Sequence, residues 1–181
     1  MGIKLREELD SDEAIKHLNQ AIEIDPKCIE AYFQRGLVYS EESFVNEEFG
    51  EKAVADLTKV IEHDPSNATA FFKRGEAYNF SDKKDNALTD YNRALKLDPK
   101  NPEYLCARGA WLIDSGKVEE GLADFEKAIS INQKYTKGYS LRGMYYLDSL
   151  ILQQNSGIGV KPLFHYSNIP IRNSQEIYIH S

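Results

Sequence analysis

Residues Phe71–Pro99 read FFKRGEAYNFSDKKDNALTDYNRALKLDP, and the position of Arg74-Gly75 within them decides the fold. Phe71 precedes Gly75 by four residues and Tyr78 follows it by three. Those offsets put all three on one face of a helix. A glycine at the centre of such a face costs about 1 kcal/mol of helix propensity. Close approach by a second helix is the compensation, at a point where a Cβ would collide. Twelve residues after Gly75, the residues Ala87, Tyr91 and Ala94 form a small–large–small stripe suited to that second helix. Asp98-Pro99 then closes the unit. Proline cannot continue a helix and disfavours the α region for the residue before it.

The same set recurs outward in both directions. Arg-Gly stands at 35–36, 74–75, 108–109 and 142–143, with 34 residues between each of the last three glycines. Gly2 lies 34 before Gly36, and the step from Gly36 to Gly75 is 39. The flanking pairs are Tyr32/Tyr39, Leu105/Leu112 and Tyr139/Tyr146. The second stripes are Ala14/Leu18/Ala21, Ala53/Leu57/Val60 and Gly121/Phe125/Ala128. Breakers follow at Asp25-Pro26 and Asp64-Pro65, with a degenerate one at Asn132-Gln133. Pro102 instead opens a helix, where its missing N–H costs nothing. A fixed period of this length means a repeat architecture.

The pattern resembles the tetratricopeptide (TPR) repeat, in the variety with Arg-Gly in its first helix and Asp-Tyr/Phe-x-Lys/Arg-Ala in its second. The best matches are Phe71–Pro99 and Leu105–Ile131, and the resemblance covers about residues 1–147. It implies an all-α, right-handed solenoid of antiparallel helix pairs with a concave inner surface. About nine helices are expected, followed by an irregular C-terminal tail. The expected segments are a partial first repeat at 1–27, repeats at 28–67, 68–101 and 102–135, an unpaired first helix at 136–152, and the tail at 153–181. Such a stack has no single core; each unit buries its apolar face on its neighbours.

Three departures stand out. Gly2 is in phase and Ile3–Glu8 continue a helix, but no aromatic-bearing turn precedes them. The expectation is a chain that begins partway through a repeat, as a piece of a longer protein would; a short natural capping helix is the other reading. Five extra residues lie between the two helices of the second unit, in Glu41–Gly50, and with Glu51 that stretch carries five glutamates and no base. It is either a loop on a binding face or a lengthened helix end. The tail has scattered Ile and Tyr between Gly and Pro breaks. It is expected to be irregular or disordered, with short extended pieces at Ile169–Ile171 and Glu176–His180, either covering the end of the stack or not packing.

Composition narrows the function classes. The chain has 181 residues and a net charge of −7, which argues against nucleic acid as the main partner. Cys28 and Cys106 make neither a disulfide framework nor a metal-ligand spacing, and they fit a reducing, cytoplasmic setting. Residues 1–15 carry seven charges and no apolar run, unlike a secretory signal, and Met144–Leu152 is too short to span a bilayer. His17, His63, His165 and His180 are scattered, and no phosphate loop or catalytic constellation accompanies them. No enzymatic activity, cofactor, metal or membrane partner is expected.

Each second-helix stripe also carries an acid: Asp56, Asp90 and Asp124. The repeated arginines can pair with these within a unit (Arg35–Asp56, Arg74–Asp90, Arg108–Asp124) or with the preceding unit (Arg74–Asp56, Arg108–Asp90, Arg142–Asp124), and the spacing does not choose. The functional surface is expected one residue along from the core face of the first helices. Resemblance to TPR domains implies that this face lines the groove and binds a peptide segment of a protein partner. The candidate groove residues are Phe33, Leu37, Phe72, Lys73, Glu76, Asn79, Ala110, Ile113, Lys137 and Met144. An Hsp70/Hsp90 tail clamp is not expected, because the asparagine that would follow Gly is replaced by Leu37, Glu76, Ala110 and Met144. The alternative roles are assembly by end-to-end stacking or self-association, and targeting within a larger enzyme.

Overall fold

A computed structural model describes residues 11–43 and 47–156 and places eight α-helices in them. These are α1 (Ser11–Ile24), α2 (Ile29–Glu42), α3 (Glu47–His63), α4 (Ala68–Phe80), α5 (Lys84–Leu97), α6 (Pro102–Asp114), α7 (Val118–Ile131) and α8 (Thr136–Ser156). No strand occurs among the described residues. The ninth expected helix, Ile3–Glu8, lies outside them, as do Phe44–Asn46 and the tail from Gly157. Helix α8 runs four residues past its expected end at 152.

The ends of the helices follow from side-chain chemistry at the breakers. The carboxylates of Asp25 and Asp64 accept hydrogen bonds from the backbone N–H two residues on, at Lys27 and Ser66, each at 3.0 Å. Asn132 takes the same bond from Lys134 at 3.0 Å. Asn and Asp share this turn-forming ability, so the unit that lacks the Asp-Pro pair closes as those at Asp25 and Asp64 do. Asn67 and Asn101 then cap α4 and α6 by accepting from Ala70 (2.9 Å) and Glu103 (3.0 Å). Each such cap satisfies a backbone donor that the helix cannot, worth about 1 kcal/mol.

The chain divides into two compact units at Gly143/Met144, and helices α1 to α7 belong to the first. There α2 packs on α3, α4 on α5 and α6 on α7, while α1–α2, α3–α4 and α5–α6 contacts join successive pairs. Within each pair the glycine marks the closest approach. A Cβ on Gly75 would lie 2.9 Å from the Tyr91 ring, and one on Gly109 would lie 2.8 Å from the carbonyl oxygen of Gly121. The stripes of α3, α5 and α7 are buried, with Leu57, Tyr91 and Phe125 filling the space beside each glycine, while Ala14, Leu18 and Ala21 of α1 are half-buried.

The five extra residues of the second unit are mostly helix. Helix α3 starts six residues before Ala53, whereas α5 and α7 start three before Ala87 and Gly121. Phe49 in the added turn packs on Tyr39, with ring centroids 5.2 Å apart. A Cβ on Gly50 would lie 2.7 Å from Ser81 Oγ, so the extension is seated against the end of α4.

Candidate peptide-binding surface

The arginines hold the stack that supports this surface, and their carboxylate partners follow the within-unit scheme, with none of the preceding-unit Arg–Asp pairs formed among the described residues. Arg35 Nε and Nη2 donate to Asp56 at 2.7 and 2.8 Å, Arg74 to Asp90 at 2.7 and 2.9 Å, and Arg108 to Asp124 at 2.8 and 2.8 Å. The carboxylate therefore comes from the same unit. The remaining Nη1 donates backward to the preceding second helix: Arg35 to Asn19 (2.6 Å), Arg74 to Thr58 (3.0 Å) and Arg108 to Asn92 (2.8 Å). One planar fork thus ties three helices together, which a lysine could not do. The aspartates are 4%, 3% and 6% exposed. Hydrogen bonding to Asp56 raises the Arg35 pKa above its ordinary value, and Asp124 does the same for Arg108. Burial opposes the charge of Arg74, but Asp90 outweighs it and the pKa is again raised. With these donors engaged, the arginines offer no open fork to an external anion.

The first helices α2, α4 and α6 carry the expected surface. Helices α2 and α4 touch directly, with Ser40 Oγ donating to the Lys73 carbonyl at 3.0 Å. Helices α4 and α6 meet through Thr69 and Tyr104, whose hydroxyls lie 3.1 Å apart. The row directly after each glycine is half-buried at Leu37, Glu76 and Ala110. Asn79 is half-buried too, and Lys137 is exposed. Lys73 is pinned between Glu76 (3.0 Å) and Glu41 (3.9 Å). Burial works against its ammonium, yet Glu76, Glu41 and Glu103 prevail and raise its pKa. The result is a mixed charged cluster flanking apolar positions.

Phe72 is a correction. It is 1% exposed, stacked on Tyr104 with centroids 4.5 Å apart and tilted on Tyr91 at 6.1 Å, so it belongs to the core between α4 and α6. Cys106, three residues before Gly109 as Phe72 is before Gly75, is also fully buried. Phe33 occupies the same register in α2 but is only partly buried, packed on the α2–α3 core. Ile113 is half-buried and leans on α7, its Cγ1 2.6 Å from where a Gly121 Cβ would be. Met144 is 60% exposed and lies in the second unit. Sequence reasoning missed Trp111, buried with its indole N–H unbonded; two positions after an Arg-Gly pair, it offered no distinguishing signal.

Among the described residues no group of three or more His, Cys, Asp or Glu could hold a metal ion. His17 lies beside Glu13 at 3.2 Å on the surface of α1, while His165 and His180 fall outside the described residues. No helix among the described residues is long and apolar enough to cross a membrane.

Comparison with known proteins agrees with this architecture. A TPR repeat family model matches residues 10–42 and 83–113, and a tetratricopeptide repeat model matches 102–135. A crystal structure of MamA is similar over 77% of this chain and 79% of its own, at 24% identity and a TM-score of 0.66. MamA from Desulfovibrio magneticus is similar over 70% and 68%, at 18% identity and 0.62. A thermophilic TPR protein of Thermus thermophilus is similar over 77% and 73%, at 22% identity and 0.63. At these identities the likeness concerns the fold. A search of curated proteins gave no match. Repeat period, Arg-Gly helix pairs, family matches and structural neighbours converge: the chain is a tetratricopeptide repeat protein.

Proposed function

We propose that this protein is a non-catalytic scaffold of the cytoplasm that holds a peptide segment of a protein partner along the first-helix face. The observation that carries the reading is the row Leu37, Glu76 and Ala110, one residue after each close-packed glycine and half-buried on three successive first helices. The glycines and the arginine forks fix those helices to their partners, so the row is pre-organised and the receptor loses little entropy on binding. Lys73, Glu76 and Asn79 supply polar contacts beside the apolar Leu37, Ala110 and Phe33. Phe72 supports the row from beneath rather than touching the peptide.

The test is affinity capture with the full chain beside a Leu37→Lys/Ala110→Glu variant. Both substitutions fall at half-buried positions, so the circular dichroism spectrum should be retained. The expected result is a partner held by the parent protein and lost from the variant. A folded variant that retains the same partner would rule out this face.

A further inference from the structure

Helix α8 repeats the face that α2, α4 and α6 offer to their second helices, and no described residue covers that face in α8. Its elements are Tyr139, Arg142 and Gly143, in the register of Tyr32/Arg35/Gly36, Phe71/Arg74/Gly75 and Leu105/Arg108/Gly109. Among the described residues nothing lies within 4 Å of where a Gly143 Cβ would be, in contrast with contacts of 2.8–2.9 Å at the other three glycines. Tyr139 is 44% exposed, whereas Tyr32, Phe71 and Leu105 are 6%, 8% and 0% exposed. Arg142 lies over the Tyr139 ring at 5.5 Å, as Arg35 lies over Tyr32 and Arg74 over Phe71 at 5.6 Å. It makes no ion pair among the described residues. The start of α8 touches the preceding pair at Gly138, where a Cβ would lie 3.0 Å from Ile129 of α7 and 3.7 Å from Cys106 Sγ of α6.

The three covered faces define what fits the fourth. Each receives a helix bearing a small residue, then Asp and a bulky residue three and four positions on, then another small or branched one: Ala53/Asp56/Leu57/Val60, Ala87/Asp90/Tyr91/Ala94 and Gly121/Asp124/Phe125/Ala128. We propose that Tyr139, Arg142 and Gly143 form a docking face for an amphipathic helix of a partner protein carrying this small–x–x–Asp–bulky–x–x–small pattern. The carboxylate would take the Nε/Nη2 fork of Arg142, and the bulky side chain would cover Gly143.

Charge complementarity selects a partner over this chain itself. Helix α1, which could dock from a second copy, carries His17 in the aspartate register ahead of Leu18 and brings no carboxylate to Arg142. In residues 157–181 the sole acid is Glu176, with Asn173 and His180 where small residues are required. The proposal concerns a face other than the peptide row and stands independently of it.

The experiment uses the full chain and a labelled synthetic peptide of the α7 sequence, VEEGLADFEKAISI, as the probe helix, read by fluorescence anisotropy. Saturable one-to-one binding is expected. Arg142→Gln should weaken it about tenfold or more, since a hydrogen-bonded charge is removed. A probe with Asn for its aspartate should lose a similar factor. Gly143→Leu should abolish binding while raising rather than lowering helicity, because its Cβ enters open space and glycine is the poorer helix former. A docking loss in this variant is therefore not a folding loss. Absence of saturable binding would overturn the proposal, whether because residues 157–181 cover the face or because it takes no helix. Equal affinity for the variants or for the Asn probe would also overturn it. So would self-association of the parent chain that Arg142→Gln dissolves, which would assign the face to a second copy.

Discussion

Cutting the central arginine fork should cost more from the arginine side than from the aspartate side. Arg74→Met removes both bonds to Asp90 and the one to Thr58, leaving a carboxylate that is 3% exposed without its cation. Breaking a buried pair this way costs about 3–5 kcal/mol. Asp90→Leu leaves the guanidinium instead. That group keeps Thr58, lies 5.6 Å from the Phe71 centroid and 5.8 Å from that of Tyr78, and its side chain is 16% exposed. Water and the ring faces soften the loss to about 2–3 kcal/mol. The double variant Arg74→Met/Asp90→Leu orphans neither charge, so its cost should fall well below the sum of the singles, with a coupling of about 2 kcal/mol or more. Urea unfolding followed by far-UV circular dichroism measures all four corners of the cycle. Stability in a repeat array is a sum of unit and interface terms, so the fit should allow the ends to unfold separately. Costs that add to within about 0.5 kcal/mol would refute the reasoning, because they would mean the fork is a bystander to the packing around it.

Other expectations follow from the same contacts. Gly116 has φ +83° with nothing near its missing Cβ, so Gly116→Ala should cost about 1 kcal/mol in the same unfolding assay through backbone strain alone. Gly75→Ala drives a methyl into the Tyr91 ring, and overpacking of about 1–3 kcal/mol should exceed the roughly 1 kcal/mol gained in helix propensity. Cys106 is fully buried and Cys28 partly so, and an aromatic disulfide reagent at about pH 8 should therefore titrate one thiol quickly and the other slowly. Burial pushes the Cys106 thiol up to about 11. The folded state favours its protonated form, so this stabilisation is present below the ordinary thiol pKa and is lost as pH rises from there towards about 11. Cys106→Ala should remove that slope from the melting-temperature profile.

The repeat was legible because its signals are local and recur. Spacing of Arg, Gly, aromatic and Pro marks helices and turns without reference to the rest of the chain. What stayed illegible depends on geometry between helices. The arginine pairing could not be read because a guanidinium has donors enough for both units, and the backward acceptors Asn19, Thr58 and Asn92 are neutral side chains with no charge to mark them as arginine partners. Phe33 and Phe72 sit in one register but differ in burial, since only Phe72 has a tyrosine from the next first helix to stack upon. Nor could spacing divide the five inserted residues between loop and helix, because glutamate favours an extended helix as readily as an exposed loop. Asn132 looked degenerate by identity and proved equivalent by hydrogen bonding.

The central claim is that a partner lies along the first-helix row, and photo-crosslinking from single sites tests it most directly. A photoreactive residue placed at Leu37, Glu76 or Ala110 should trap the same partner from each position. The same residue at the exposed second-helix positions Thr89 or Lys127 should trap none. Trapping from Thr89 or Lys127 with none from the first-helix row would contradict the account and move the working surface to the opposite face.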